Sequence, residues 1–245
     1  IGVYVGDKWG GKYLRAPDIF FTILEKGEGK LVKLKDVADV KFGIKTGCNE
    51  FFYLTEEQAL HWEIEEEFLK PVIKSPRECK SILIDPDELK YRIFMCHKDK
   101  RDLKGTNALK YIEWGEQQEK KITQGQNKGS LIKGFHNISS VQGRKRWYDL
   151  GKRSIPPIVL PCSYRKDFLV YKNPSVLVDK RLYELYSAKS SDSFSINLNS
   201  ILYPLFLEIL TRSYGGGGGP IDATVEEIEQ VYIVTPDAIE IPAKI

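Results

Sequence analysis

The sequence predicts an α+β fold: a mixed or antiparallel sheet of short strands with flanking helices. Three observations carry that prediction. Helix-type and strand-type segments are interspersed without the regular β-α-β spacing of a doubly wound sheet. The strand candidates are short, and the one at 39–44 alternates polar and apolar residues. No repeat of fixed period runs through the chain, which sets aside solenoids and propellers.

Taken in order, residues 16–24 read as a helix. Pro17 suits its first turn, Asp18 complements the N-terminal dipole, and Gly27 can end it. Residues 34–38 form a short helical turn, and 39–44 alternate as a strand. Thr46, Gly47, Cys48 and Asn49 are turn chemistry, so 51–54 reads as the returning strand of a hairpin. Thr55 with Gln58 makes a capping box ahead of a helix, and Asp85 starts a similar pattern. A strand follows at 91–96, then a helix over 106–119 with Leu109 and Ile112 facing inward. Residues 120–143 are polar and rich in Gly, Asn and Gln, and read as loop. Short strands are expected at 157–160, 168–171, 175–178 and 182–186. Asn199 and Ser200 cap an apolar helix, 201–210, that ends near Gly215, with Pro204 tolerated in its first turn. A last strand is expected at 231–234.

A chain of 245 residues can bury a sizeable core. Its 42% hydrophobic and 29% charged residues are those of a soluble globular protein, and a cytoplasmic location is expected. No apolar run approaches the ~20 residues of a membrane span, and residues 1–15 lack the apolar stretch of a secretory signal. The chain starts with Ile and reads as a fragment of something longer. Cys48, Cys79, Cys96 and Cys162 match no common zinc spacing and read as reduced, mostly buried thiols. Net charge is only +3, yet basic residues bunch at 98–104, 120–121, 128–133 and 144–153, and acidic ones at 56–67 and 226–229. A chain of near-neutral total can still present one basic face.

Catalytic chemistry is hard to find. The glycine run 215–219 follows a helix rather than leading into one, the wrong polarity for a phosphate loop. Asp87, Glu88 and Lys90 are the residue types of a metal-dependent nuclease, but a capping box explains them better. His61, His97 and His136 lie far apart, without paired-ligand spacing, and no metal site is expected. Adenine methylation needs a flipped base held against a proline-and-aromatic motif. Asn173-Pro174-Ser175-Val176 lacks the second proline and the aromatic, and Ile155-Pro156-Pro157-Ile158 lacks an amide and a ring. The chain by itself is expected to be non-catalytic.

Several blocks together resemble a known family. Trp9-Gly10-Gly11-Lys12-Tyr13-Leu14-Arg15-Ala16-Pro17 is followed by Leu34, Val37, Ala38, Val40, Gly43, Ile44, Thr46 and Gly47. Then come Phe68-Leu69-Lys70-Pro71-Val72-Ile73-Lys74-Ser75, and later Asn197-Leu198-Asn199-Ser200 with the apolar helix and the glycine run leading to Ile221 and Val225. In this order they resemble the target-recognition domain that follows the catalytic domain in N6-adenine DNA methyltransferases of restriction–modification systems, including the fused methylase–endonuclease type. The type I specificity subunit shares the Leu-x-x-Val-Ala…Gly…Thr-Gly pattern and is the related alternative; no second copy is visible here to match its usual pair of domains.

The resemblance implies a domain, 16–245, that reads double-stranded DNA and hands a target adenine to an adjacent methyltransferase domain. Residues 1–15 would be the linker from that upstream domain. S-adenosylmethionine would belong to the parent enzyme and not to this chain. The partners expected are duplex DNA and the methyltransferase domain, with no membrane. A protein-interaction domain indifferent to DNA, and an enzyme with an unrecognised site, are the rival readings.

The residues expected to meet DNA follow from chemistry. Base edges are read by Arg, Lys, Asn or Gln, and phosphates by basic or small polar donors. Lys45, Thr46 and Asn49 sit at the turn after 39–44, either an ordinary hairpin tip or a loop reaching DNA. Arg144, Lys145, Arg146, Trp147, Lys152 and Arg153 form the densest basic stretch, interleaved with aromatics; it is a solvated face or a contact surface. Tyr164, Arg165 and Lys166 are expected on the same face, and the polar loop adds Gln126, Asn127, Lys128 and Lys133.

Overall fold

The computed structural model describes residues 16–121, 129–164, 168–213 and 220–239, with backbone alone at Arg212 and Ser213. Two four-stranded sheets carry the architecture. The first runs Tyr171–Lys172, Ile158–Pro161, Leu182–Tyr186, Asp39–Phe42, antiparallel throughout. The second runs Leu177–Val178, Leu69–Ile73, Tyr91–Phe94, Tyr53–Leu54; only Leu177–Val178 lies parallel to its neighbour. Seven described α-helices flank them, and smaller sheets pair Leu31–Lys33 with Tyr232–Val234 and Glu119–Lys121 with Leu131–Lys133. The expected α+β class, a mixed or antiparallel sheet with flanking helices, is what the chain adopts.

The apolar residues divide by sheet. Against the second sheet, Phe51, Phe52, Phe94, Tyr111, Ile112 and Trp147 form an aromatic core. Phe51 is fully buried, stacked on Tyr111 at 4.7 Å and tilted against Trp147 at 4.4 Å. Helix Asn107–Gln117 turns Ala108, Tyr111, Ile112 and Gly115 inward, the spacing of one helical face. Its start is capped twice. Thr106 Oγ1 accepts from the Leu109 N–H, and the Glu65 carboxylate accepts from Asn107 and Ala108 N–H at 2.7 and 3.0 Å. Ile112 points inward as expected, while Leu109 stays half-buried at the core's edge.

The second core lies against the first sheet. It gathers Phe20, Leu34, Val40, Leu185, Phe194, Phe206 and Ile233 beneath helices Asp18–Lys26, Ser191–Leu198, Leu202–Leu210 and Val225–Glu229. A small third cluster joins the sheets, with Ile73 and Val178 from one and Val159, Tyr171 and Leu182 from the other. No single described helix is long and apolar enough to cross a membrane.

Several expectations are corrected. Residues 51–54 are not the return of a hairpin: Asn49–Phe52 is one helical turn, and Tyr53–Leu54 joins the other sheet beside Tyr91–Phe94. Strand geometry would send Phe51 and Phe52 to opposite faces. The helical turn buries both completely, with their rings edge to face at 5.0 Å. The loop expected over 120–143 holds a strand pair, Glu119–Lys121 with Leu131–Lys133. Asp85 accepts from the Asp87 N–H but starts only the single turn Pro86–Glu88.

Helix Ser191–Leu198 went unread because its buried residues include Ser193, Ser195 and Asn197, which blur the apolar period. The Asn199 amide does not cap the next helix; it exchanges two 2.9 Å bonds with the Val170 backbone. That helix ends at Leu210 rather than near Gly215. The glycine run 215–219 and residues 1–15 lie outside the described residues.

Candidate nucleic-acid interface

The chain passes between the two large sheets four times, and two of these crossings lie side by side. One is 43–52, after strand Asp39–Phe42. The other is 179–181, between Leu177–Val178 and Leu182–Tyr186. Their backbones are stitched together. The Gly43 N–H donates to Leu182 O at 3.1 Å, the Ile44 N–H to Val178 O at 2.6 Å, and the Lys180 N–H to Ile44 O at 3.0 Å. Gly43 is required here, since a Cβ would stand 2.4 Å from Asp179 O.

Over these crossings opens a cleft of about 310 Å³, lined by Lys45, Thr46, Gly47, Asn49, Glu50, Lys120, Ser140, Asp179 and Lys180. Its acidic members are already engaged. Asp179 is 3% exposed, accepts from the Tyr53 hydroxyl at 2.5 Å, and pairs with Arg181 Nε at 3.0 Å. Burial, with the Asp179 carboxylate, raises the Tyr53 pKa and keeps the phenol protonated. Glu50 pairs with Lys120 at 2.7 Å. Burial would raise the Glu50 pKa, but the Lys120 ammonium and a backbone hydrogen bond hold it below the usual carboxylate range. Lys45 and Lys180 are exposed and have no acidic partner among the described residues. The balance at the cleft is therefore positive, a fit for an anion.

The loop 45–49 is fixed from beneath. Arg144 Nη2 donates to the carbonyls of Lys45 and Thr46 at 3.2 and 2.8 Å, and Nη1 to Trp147 O at 3.3 Å. Its guanidinium lies 5.6 Å from the Phe52 ring centroid. Burial lowers its pKa from the ordinary arginine value. Ser140 Oγ donates to Gly47 O at 2.6 Å. Gly47 takes φ +74°, and a Cβ there would meet Ser140 O at 3.0 Å. Thr46 is 2% exposed and donates its hydroxyl to Asn49 Oδ1.

The basic stretch 144–153 divides. Arg144 serves the loop, and Lys145 is exposed beside it. Arg146 faces Asp99 at 2.8 Å and Asp149 at 2.7 Å, and Asp149 also meets His97 Nδ1 at 2.7 Å. Burial would raise the Asp149 pKa, but Arg146, the Gly151 N–H and His97 together bring it below the ordinary value. Trp147 is 8% exposed and donates Nε1–H to Glu116 at 2.8 Å. The contact surface expected of Arg146 and Trp147 is thus not what the fold presents: the indole completes the aromatic core, and the guanidinium is held by carboxylates. A basic-aromatic alternation does not separate a docking face from a core edge that needs counter-charges.

Lys133 is exposed on the Glu119–Lys121 hairpin, opposite Glu119. Lys152 and Arg153 are exposed; Arg153 and Lys41 offset part of the desolvation that raises the pKa of buried Glu184. Tyr164 does not join the cleft; its ring packs on Phe168 at 4.8 Å against the second core. Gln126, Asn127, Lys128, Arg165 and Lys166 lie outside the described residues. Sequence reasoning missed Lys120, Ser140, Lys180 and Arg181. Lys180 and Arg181 are adjacent cations, but no spacing ties them to Lys45.

The four cysteines are free, and burial pushes the Cys48 thiol up to about 11. Among the described residues no group of His, Cys, Asp and Glu is arranged to hold a metal ion.

A family model described as the C-terminal domain of the type II methyltransferase M.Eco57I matches residues 6–242. Among solved structures, that of the type IIG restriction endonuclease BpuSI shares the fold, with a TM-score of 0.61 at 13% identity over 91% of this chain. The chain spans 26% of the length of that endonuclease. No curated protein matches the sequence. The resemblance read from the blocks between Trp9 and Val225 is thus borne out: the chain belongs to the family of the C-terminal domain of type II methyltransferase M.Eco57I.

Proposed function

We propose that this chain is a DNA target-recognition domain. It binds a specific double-stranded sequence and positions a target adenine for a methyltransferase domain of the same restriction–modification enzyme. The observation that carries the reading is the cleft over the two adjacent sheet crossings. There two exposed lysines have no acidic partner among the described residues, while both acidic lining residues are paired. Lys45 and Lys180 would meet phosphate oxygens, which position a duplex without reading it. Family membership and the endonuclease fold support the restriction–modification setting. S-adenosylmethionine would supply the methyl group in the methyltransferase domain, and nothing in this chain's cleft is asked to bind it.

Counter-ion release makes phosphate binding strongly salt-dependent. Titrating duplex DNA against the full-length protein, followed by electrophoretic mobility, should show affinity falling on the order of 100-fold or more between about 50 and 200 mM salt. Absence of duplex binding at the lower salt would favour the protein-interaction reading instead.

A further inference from the structure

We propose that Asn49 reads one base of the target, an adenine approached from the major groove, and that Thr46 is its positioning residue. The inference rests on the duplex-binding reading above and adds a specificity-determining side chain to it.

Asn49 is exposed and lines the cleft. The Thr46 hydroxyl, from a residue 2% exposed, donates to its Oδ1 and holds the carboxamide at the cleft wall. Oδ1 keeps a second lone pair, and the Nδ2 donors face away from Thr46. One acceptor beside one donor is the complement of the adenine major-groove edge, where N6 donates and N7 accepts. The neighbouring Lys45 and Lys180 offer donors only, which suits phosphate or guanine and cannot single out adenine.

The mounting of the loop favours readout over loose contact. A discriminating side chain must be held to within ~0.5 Å by groups that are themselves fixed. Here Arg144 holds the carbonyls of Lys45 and Thr46, Ser140 holds that of Gly47, and Phe51 and Phe52 anchor the following turn in the core. A valine would fill the space of Thr46 as well. The bond that its hydroxyl donates in this structure goes to the Asn49 amide.

The test uses the full-length protein. Its preferred site is selected from a library of DNA duplexes with a randomised central segment. Affinities are then measured for that site and for each single base-pair replacement. Discrimination at one A·T pair is expected to be about 5- to 150-fold in the wild type. Asn49→Ala should bring that ratio close to one and leave the other positions unchanged. Thr46→Val should reduce it several-fold at the same pair, with the thermal midpoint confirming a folded protein. Replacing that adenine by 7-deazaadenine, which lacks the N7 acceptor, should weaken the wild type and not Asn49→Ala. The inference is overturned if Asn49→Ala weakens all sequences equally, if its lost discrimination falls on a G·C pair, or if Thr46→Val acts at another pair. A wild type that binds no duplex overturns the recognition reading and this inference together; binding that ignores Asn49 overturns the inference alone.

Discussion

Arg144→Ala should lower the thermal midpoint by about 5–10 °C and weaken duplex binding without changing its salt slope. The guanidinium reaches three backbone carbonyls, those of Lys45, Thr46 and Trp147. Hydrogen bonds from a charged donor contribute about 1.5–3 kcal/mol each when buried, and the site is only half-buried, so a total loss of about 2–3 kcal/mol is reasonable. Because these donors are committed to the protein, removing them frees no phosphate contact. The affinity falls because loop 45–49 loses its seat. Arg144→Lys should not restore it, since an ammonium cannot span the carbonyls as the planar fork does. Thermal melts with binding at two salt concentrations decide this. A slope reduced by about one would mark Arg144 as a phosphate contact instead.

Reversing the cleft charge should act in the opposite way. The double variant Lys45→Glu, Lys180→Glu should lose on the order of 100-fold in duplex affinity, with the magnitude of the salt slope reduced by about two. Its thermal midpoint should stay close to that of the wild type, because neither lysine side chain has an acidic partner among the described residues to lose, and their backbone bonds are kept. Lys133→Glu, on a hairpin whose facing residue is Glu119, is the graded comparison. Equal losses for the two replacements, at unchanged slope, would place the duplex elsewhere.

How much of this the sequence discloses depends on the range of the cause. Elements set by local chemistry are legible. The Thr55 capping box opens helix Glu56–Trp62, Thr106 caps Asn107–Gln117, and the alternation at 39–44 yields strand Asp39–Phe42. Elements set by tertiary demand are not. Phe51 and Phe52 have strand propensity but fold as a helical turn, because one core claims both rings. Helix Ser191–Leu198 hides because it buries serines and an asparagine.

The candidate site shows the same division. Lys45, Thr46 and Asn49, read from turn chemistry, do come together at the cleft, but Thr46 is buried and its hydroxyl is turned onto Asn49 instead of outward. Lys180 was not legible, because it reaches the cleft only through the bond of its N–H to Ile44 O, across a long stretch of chain. Trp147 and Arg146 misled, since the composition of 144–153 fits a docking face as well as a core edge with paired charges. The order of blocks carried the family, and geometry then sorted residues within it.

In the proposed complex the cleft over the two adjacent sheet crossings faces the duplex. Amide hydrogen exchange of the full-length protein, with and without its selected duplex, tests this most directly. Exchange should slow at 43–50, 119–121, 140–145 and 179–181, with helix Glu56–Trp62 on the acid-rich stretch unchanged. Protection confined to that helix, with the crossings exchanging as before, would contradict it.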